Sequence, residues 1–386
     1  MGTNSDGTGR YRPGARISLI VAAFLFGSAA QAAAETNLDE LVEFTGQVTF
    51  LQSAAPGLVI AAIRDGETAV FGFGETARGS GVEPNGDTIV RVGSITKAFT
   101  GEVLAHLRAA NKLAFADTLE KWAPEFANKG TRPIRLIDLA THSAGLPREL
   151  PRSSGPPEDP LSTITAEGLA AWMKSNDLMF EPGSAIQYSN FAFDLLSIAL
   201  AKAGGAVYPD LLSSFVTKPL GMADTGFAVD VSQRSRLMTG HNFDGSAMQP
   251  VPTGDVVVGS GGLYSTGNDL LKWLAWHLDR FSADGGEVRL LDHATYLQRD
   301  GLDMVYGMDE SGEMSAMGLG WVVMEPEGNR PLILQKAGGF RGQFDYIAFA
   351  PARGVGVFIS INQYDFATAI SMAGVVNELI AQLAPR

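Results

Sequence analysis

The sequence predicts an α/β (α+β) fold, in which strands from both chain ends form one antiparallel sheet with flanking helices and an inserted, mostly helical lobe. Two observations predict it. Strand-like apolar runs separated by tight turns occur near residue 60 and again after residue 330, and helical spacing of apolar residues prevails between them. Two lobes built in this way leave a cleft where they meet, a usual place for a small-molecule site.

The N-terminal part of the predicted sheet begins with a hairpin. In "GLVIAAIRDGETAVFGFGETA" (57–77), two apolar runs flank Asp65-Gly66, a dipeptide typical of tight β-turns. Residues 94–110 then show apolar residues at helical spacing, with no glycine or proline after Gly101. The sequence therefore predicts that a helix begins at Ser94, directly behind an extended segment.

The rest of the chain divides into helices followed by strands. Apolar spacing and Gly, Pro and Ser/Thr boundaries predict helices over residues 134–142, 166–176, 189–205, 208–221 and 265–278. Strands are predicted over 331–338, 342–351 and 354–363, with a final helix over 367–384. We therefore expect a sheet lobe of about residues 40–93 and 325–386 and a helical lobe of about residues 94–324.

The first 34 residues have the pattern of an export signal. Three arginines precede the apolar run "ISLIVAAFLF" (17–26), and small residues then allow cleavage after Ala32 or Ala34. A retained membrane anchor is the alternative, but the run is shorter than the roughly 20 residues that span a bilayer. We expect a periplasmic protein whose mature domain comprises residues 35–386, with no stable membrane span after signal cleavage.

Composition excludes several classes of function. The formal net charge is −13, which argues against nucleic acid or an anionic membrane surface as a partner. The chain has no cysteine, so disulfides, a thiol nucleophile and zinc–thiolate sites are excluded. No pair of its five histidines has the spacing of a metal site, and "GFGETARG" (72–79) is far from a dinucleotide-binding fingerprint. We therefore expect neither a metal nor a cofactor.

Ser94 and Lys97 lie three positions apart where extended chain becomes helical. Side chains at this spacing share one face of a helix, with Cβ atoms about 5–6 Å apart. The helix dipole and partial burial both lower the pKa of a lysine at this position, which suits a general base, and the same dipole stabilises an alkoxide at the serine. The alternative is a helix N-cap followed by a solvated lysine.

Two further motifs occur once each. Tyr188-Ser189-Asn190 begins a predicted helix; its phenol can relay a proton and its amide can bind a lysine and a substrate carbonyl, although an ordinary capped helix start is the alternative. Lys336-Ala337-Gly338 ends a predicted strand, where a lysine is usually solvated. Glycines follow it immediately, so backbone N–H groups there can approach a ligand closely.

The three motifs in this order resemble those of the serine β-lactamase and penicillin-binding protein superfamily, in its class C-like branch. The segments 139–149, 188–197, 218–227 and 259–274 are most similar to AmpH-type D-alanyl-D-alanine carboxypeptidase/endopeptidases, which act on peptidoglycan peptides. The resemblance covers essentially the whole mature chain. It implies a β-lactamase/transpeptidase-like fold, and peptidoglycan peptides or β-lactams as substrates.

The resemblance also implies a role for each motif residue. Ser94 is expected to be the acylated nucleophile, with Lys97 and Tyr188 sharing its proton. Asn190 is expected to hold the acyl side-chain amide. The substrate-binding residues on the strand are Lys336, which attracts a carboxylate, and Gly338 and Gly339, the latter donating its N–H to an oxyanion hole together with the N–H of Ser94.

One departure from the family pattern affects the expected substrate. The family usually has Lys-Thr-Gly, whose hydroxyl helps to hold a carboxylate, whereas this chain has Ala337. The change favours wider tolerance, including esters. A class C-type β-lactamase, a family VIII carboxylesterase and a non-catalytic binding protein therefore remain alternatives, the last disfavoured because a receptor needs no nucleophile paired with a base.

Ser143 is a second candidate for the nucleophile. Ser143 in "THSAG" (141–145) is similar to the Gly-x-Ser-x-Gly turn of α/β-hydrolases, but Thr141 replaces the first glycine. The segment also follows a helical run, where that turn requires a strand. We therefore expect Ser143 to have no catalytic role.

Overall fold

The structure, a computed structural model, describes residues 37–384 and the isolated residue Gly2. The predicted signal peptide, residues 1–34, lies outside these described residues, apart from Gly2. The chain from Thr36 onward forms one structural unit. Its twelve strands are β1 Gly57–Arg64, β2 Glu67–Gly74, β3 Ile89–Arg91, β4 Ile186–Gln187, β5 Tyr264–Thr266, β6 Leu297–Gln298, β7 Val305–Tyr306, β8 Ala316–Met317, β9 Val322–Met324, β10 Ile333–Phe340, β11 Gln343–Ala350 and β12 Val355–Ile361.

Eight of the strands form one sheet that contains both the first strand, β1, and the last strand, β12, of the described residues. Its order is β2-β1-β12-β11-β10-β9-β8-β6, and β1 pairs antiparallel with β12, for example Val59 with Ser360. This pairing confirms that the terminal strands share a sheet. The short strands β6, β8 and β9 extend it from within residues 297–324, a range assigned to the helical lobe from the sequence. Two-residue and three-residue strands carry too little alternating pattern to be recognised there.

Ten α-helices within residues 37–384 pack around the sheet. They are α1 Leu38–Gln52, α2 Thr96–Ala109, α3 Leu119–Trp122, α4 Leu136–Ala140, α5 Ala166–Ser175, α6 Asn190–Gly204, α7 Tyr208–Leu212, α8 Gly267–Leu278, α9 Gly286–His293 and α10 Phe366–Leu383. The helices predicted from residues 94, 134, 166, 189, 208, 265 and 367 are confirmed, with the fifth continuing as a π-helical segment, Ser213–Thr217. Helices α1, α3 and α9 were not predicted. Only tertiary packing distinguishes such segments from irregular chain.

The sheet separates two apolar cores. On one face Ala61, Ile63 and Phe358 pack with residues of α2, α6 and α8. On the other face Ile60 and Ala62 pack with α1 and α10. Because successive strand residues point to opposite faces, β1 is apolar at nearly every position. Helix α10 is long and apolar enough to cross a bilayer, but half of it is buried in this second core.

Candidate active site

The first predicted motif lies where β3 meets α2. Ser94 is the middle residue of a 3₁₀ turn, Gly93–Ile95, and Lys97 follows in the first turn of α2. Gly93 has a φ of +51°, and a Cβ atom at this position would come within 2.5 Å of the Gly339 nitrogen. Glycine is therefore required for the Ser94 turn to pack directly against β10.

The Ser94 hydroxyl oxygen is hydrogen-bonded to two other predicted side chains. Lys97 Nζ donates to Ser94 Oγ at 3.0 Å, and the Tyr188 hydroxyl donates to it at 2.6 Å. Lys97 Nζ also donates to Asn190 Oδ1 at 2.5 Å and to the carbonyl oxygen of Ser260 at 2.6 Å. Folding thus brings Ser94, Lys97, Tyr188 and Asn190 together as one group, hereafter the Ser94 group. The Ser260 carbonyl was missed in the sequence, since a backbone acceptor leaves no motif.

The start of α6 holds Tyr188 and Asn190 in place. Ser189 is the N-cap, and its Oγ accepts a hydrogen bond from the Ala192 N–H at 3.0 Å. The same hydroxyl donates to the carbonyl oxygen of Pro147 at 2.7 Å. The middle residue of the Tyr-Ser-Asn motif therefore caps the helix and attaches it to the loop before it.

Burial sets the charge of Lys97. Its side chain is completely buried, and this burial lowers its pKa to about 7. The charges of Asp194 and Glu149 oppose that shift, and the charge of Arg148 adds to it. A substantial fraction of Lys97 is therefore neutral near pH 7, as a general base requires.

His142 supports the Tyr188 ring, a role that its sequence context did not reveal. The two rings stack with centroids 4.6 Å apart, and His142 Nδ1 accepts a hydrogen bond from the Ser189 N–H at 3.0 Å. Burial, aided by the charges of Lys97 and Lys336, holds the pKa of His142 well below its usual range. His142 is therefore a neutral acceptor that fixes Tyr188 in place.

Three cationic groups surround the Tyr188 ring. The distances from its centroid are 5.0 Å to Lys97 Nζ, 4.6 Å to Arg148 Cζ and 5.1 Å to Lys336 Nζ. Negative charge that develops on the phenol oxygen is stabilised by such neighbours. Arg148 lies in the family-like segment 139–149 but belongs to none of the three motifs.

The third motif lies on a free edge of the sheet. Strand β9 pairs with β10 only over Ile333–Gln335, so no described strand covers this edge from Lys336 onward. A Cβ atom at Gly338 would come within 2.1 Å of the Val92 carbonyl oxygen, so glycine is required there as well. Lys336 Nζ donates to the Ala337 carbonyl at 3.1 Å, and burial lowers the pKa of Lys336.

A cavity of about 670 Å³ opens between this edge, the Ser94 turn and α10. Ser94, Tyr188, Lys336, Gly338 and Gly339 line it, so the structure brings these predicted residues to one space. Lys97 and Asn190 do not line the cavity: Lys97 is hydrogen-bonded to Ser94, and the Asn190 amide is bonded to Lys97 and to Glu149. Apolar side chains, including Phe344, Phe366 and Ile370, form the opposite wall.

Ser143 lies outside this arrangement. Its side chain is completely buried, and its hydroxyl is 2.9 Å from that of Thr141. It does not line the cavity.

One group of side chains within the described residues has the spacing of a metal site. Ligand atoms of His277, Asp292 and His293 lie within 4.8 Å of one another. They belong to α8 and α9, away from the cavity that holds Ser94. The expectation that the protein binds no metal therefore stays a prediction.

Comparison with known proteins identifies the family. The chain matches the family model described as beta-lactamase over residues 32–378. It is 35% identical over 350 residues to the D-alanyl-D-alanine-carboxypeptidase/endopeptidase AmpH of Escherichia coli K12, and 89% of each chain is covered. The chain belongs to the beta-lactamase family, and it is a serine hydrolase.

Solved structures show the same fold. The β-lactamase/D-alanine carboxypeptidase of Yersinia pestis, solved with citrate, superposes with a TM-score of 0.81 at 34% identity, over 89% of this chain and 98% of that one. A class C β-lactamase superposes with a TM-score of 0.75 at 19% identity, over 90% and 98% of the two chains. The predicted fold class is confirmed, and the class C match shows the shared fold. The resemblance to the family is confirmed by the family model and the similarity to AmpH.

Proposed function

We propose that this serine hydrolase is a periplasmic, penicillin-binding D-alanyl-D-alanine carboxypeptidase/endopeptidase of peptidoglycan, and that Ser94 is the residue it acylates. One observation carries the proposal. The Ser94 hydroxyl lines the cavity and accepts hydrogen bonds from both Lys97 and Tyr188, at 3.0 and 2.6 Å. A serine flanked by two proton-transferring groups is the arrangement of an activated nucleophile.

Acylation uses the Ser94 group as follows. Ser94 Oγ attacks the carbonyl carbon of the penultimate D-alanine while its proton passes to neutral Lys97. The N–H groups of Ser94 and Gly339 stabilise the resulting oxyanion, a role carried over from the family. The carbon–nitrogen bond then breaks, and the Tyr188 hydroxyl gives its proton to the leaving amine, taking one in turn from Lys97.

Hydrolysis of the acyl-enzyme reverses the proton transfers. Water attacks the ester carbonyl and loses a proton to Tyr188, which passes its own proton to neutral Lys97. The departing Ser94 oxygen then takes that proton from Lys97. The products are the shortened peptide acid and the free enzyme. The steps need no cofactor.

The substrate assignment has support from relatives and from the site. The Escherichia coli and Yersinia pestis relatives carry D-alanyl-D-alanine or D-alanine carboxypeptidase in their names. Lys336 lines the cavity and provides a cation for the substrate carboxylate. Asn190, to which the family resemblance gives the acyl side chain, does not line it, and its amide is bonded to Lys97 and Glu149. Residues 1–34, with their export-signal pattern, support a periplasmic location.

Ester hydrolysis is a second candidate function, and a specific observation favours it. Ala337 offers no hydroxyl to a carboxylate, and the cavity wall formed by Phe366 and Ile370 is apolar. A neutral leaving group with an apolar body fits such a wall. β-Lactam hydrolysis uses the same machinery and differs from the peptidase only in how fast water attacks the acyl-enzyme.

Intact-mass spectrometry with benzylpenicillin, followed over time, tests the proposal. One penicillin should be added per chain, on the peptide that contains Ser94. Ser94→Ala should abolish the adduct, whereas Ser143→Ala, a matched change at the rival serine, should keep it. An adduct that survives Ser94→Ala contradicts the assignment. A long-lived adduct together with cleavage of D-Ala-D-Ala peptides supports the peptidase, and rapid loss of the adduct indicates a β-lactamase.

A further inference from the structure

Arg148 is a second cation in the cavity. It lines the same space as Lys336, and these two are the lysine or arginine side chains among the described residues that line it. The guanidinium carbon of Arg148 lies 4.6 Å from the centroid of the Tyr188 ring. Lys336 Nζ lies 5.1 Å from the same centroid. The basic side chains of the cavity are therefore Lys336 and one residue outside the family motifs, and its carboxyl side chains are Glu310 and Asp345.

The donors of Arg148 are free for a ligand. Within residues 37–384, no acceptor receives a hydrogen bond from its guanidinium and no carboxylate forms an ion pair with it. Lys97, in contrast, directs hydrogen bonds to Ser94, Asn190 and Ser260, so its ammonium has no donor left over. Lys336 uses one donor, on the carbonyl oxygen of Ala337. An anion in the cavity therefore finds donors on Arg148 and Lys336.

The backbone of Arg148 is fixed to the element that carries Tyr188. Its carbonyl oxygen accepts hydrogen bonds from the N–H groups of Asn190 and Phe191, at 2.8 and 3.4 Å, which are the first two of α6. The preceding carbonyl, of Pro147, accepts from the Ser189 hydroxyl. The side chain of Arg148 is exposed but starts from a rigid base, which limits the entropy lost when it orders on a ligand.

Ala337 leaves the strand with fewer groups that can bind a carboxylate, and Arg148 can compensate for this loss. The hydroxyl that usually accompanies the motif lysine is missing, so Lys336 alone remains on the strand. We propose that Arg148 is a substrate-binding residue that, with Lys336, holds the free carboxylate of the leaving group. The inference rests on the proposed peptidase function. An arginine suits this role, because its planar fork donates two parallel hydrogen bonds to one carboxylate.

The test compares charged and uncharged members of two substrate pairs. The first pair is a peptide ending in D-Ala-D-Ala and its C-terminal amide, and the second is benzylpenicillin and its methyl ester. Arg148→Ala should lower kcat/KM for the peptide acid by about 10–50-fold, the loss expected for a charge-assisted contact at a partly exposed site. The amide should lose less than about 3-fold, since it has no charge to hold. Acylation by benzylpenicillin and by its methyl ester should differ in the same direction.

Two further variants separate charge, shape and position. Arg148→Lys keeps the charge but loses the planar fork, so it should recover only part of the lost rate on the charged substrates. Arg152→Ala removes an arginine of the same loop that bonds to Thr163 and lies outside the cavity lining, so it should behave as the wild type. If Arg148→Ala lowers the rate equally on both members of a pair, Arg148 acts through the Tyr188 ring. If it lowers the rate on neither member, Arg148 touches no substrate. Either result overturns the inference.

The penicillin pair keeps this test distinct from the test of the peptidase function. A wild-type enzyme that is acylated by benzylpenicillin but cleaves no D-Ala-D-Ala peptide refutes the peptidase function. In that case the ratio between benzylpenicillin and its methyl ester still decides the role of Arg148. A wild-type enzyme that reacts with neither compound refutes both.

Discussion

Helix α2 contributes to two buried groups of titratable side chains, and one of them reaches the cavity lined by Ser94. Lys97, in the first turn, belongs to the Ser94 group. Glu102, five residues further on, belongs to a second group with His277, Asp292 and His293, hereafter the Glu102 group. Lys97 and Glu102 are both completely buried. The Ser94 group reaches the 670 Å³ cavity through Ser94 and Tyr188, whereas no member of the Glu102 group lines it.

Burial perturbs both groups to a similar extent. In the Ser94 group it lowers the pKa of Lys97 to about 7. In the Glu102 group burial lowers the pKa of His293 to about 4, and burial together with the charge of Glu102 raises that of Asp292 well above its usual range. A perturbed pKa therefore does not by itself mark an active site in this protein.

Hydrogen bonding separates the two groups. Every donor of the Lys97 ammonium has an acceptor, and one of these acceptors, Ser94 Oγ, faces the cavity. In the Glu102 group, Glu102 Oε1 and Asp292 Oδ1 have no hydrogen-bond partner among the described residues, although Glu102 Oε1 lies 3.5 Å from His106 Nε2. Indole N–H groups bind the other carboxylate oxygens. The difference indicates chemistry at the first turn of α2 and packing further along it.

Loss of the Tyr188 hydroxyl should give the largest effect. Tyr188→Phe should leave the fold intact and slow turnover by about 10²–10⁴-fold, the usual contribution of a positioned proton-transfer group. Steady-state kinetics on the purified variant measures it. A matched control is Tyr208→Phe, which removes another buried hydroxyl bonded to α2, through Thr100 at 2.7 Å, and should leave turnover within about 3-fold. Near-normal turnover in Tyr188→Phe would mean that Lys97 acts alone.

Removal of the Lys336 charge from the cavity should give the next largest effect on activity. Lys336→Ala should lower kcat/KM for peptides ending in D-Ala-D-Ala by about 10–150-fold, because a charge-assisted hydrogen bond contributes about 1.5–3 kcal/mol. Hydrolysis of p-nitrophenyl acetate, which has no anion to hold, should change far less. Ala337→Thr should shift selectivity towards carboxylated substrates. The ratio between two substrates cancels any general loss of folded enzyme, and equal losses on both would raise the esterase above the peptidase.

Local spacing explains why much of the Ser94 group could be predicted from the sequence. Ser94 and Lys97 share one helical turn, and Tyr188 and Asn190 flank one helix N-cap, so each pair leaves a short motif. Alternating and helical patterns likewise predicted the terminal strands and most of the longer helices. Short-range patterns of this kind survive folding because the geometry of one turn fixes them.

Residues brought in by tertiary contacts could not be predicted in the same way. Arg148 and His142 act on Tyr188 from a loop more than 35 positions earlier in the chain, and the Ser260 carbonyl comes from 3₁₀ structure far from Lys97. His277 and His293 meet across two helices, one of which, α9, the sequence did not predict. No periodicity connects such positions.

The pH dependence of acylation should respond to the Ser94 group and not to the Glu102 group. Lys97 acts as a base only when neutral, and its pKa is about 7. Acylation by benzylpenicillin should therefore fall as the pH drops below 7, approaching about tenfold per pH unit, and level off above it. His293→Phe, a change in the Glu102 group, should leave this profile where it is. A profile that stays flat from pH 5 to 8 would mean that Lys97 is not the titrating base.

The smallest effect is expected from metal removal, which probes the Glu102 group alone. His277 Nδ1 and His293 Nε2 are 2.9 Å apart, a hydrogen-bond distance. Two nitrogen ligands of one tetrahedral zinc ion lie about 3.3 Å apart, given Zn–N bonds of about 2.0–2.1 Å. A proton between the rings accounts for the shorter separation. Burial raises the pKa of Asp292 well above its usual range, which favours its neutral form, and its Oδ2 accepts a hydrogen bond from the Trp321 indole, whereas a metal ligand must be ionised.

Treatment with EDTA should therefore leave the acylation rate unchanged and shift the melting temperature by no more than about 1 °C. Removal of a metal lowers the melting temperature only if the folded state binds that metal. Elemental analysis of the untreated protein should find no stoichiometric zinc. A bound metal whose removal lowers the melting temperature, and which is lost in His293→Ala but kept in His106→Ala, would contradict the prediction. The Glu102 group would then be a structural metal site. Helix α2 would contribute to two sites, one at Lys97 and one at Glu102.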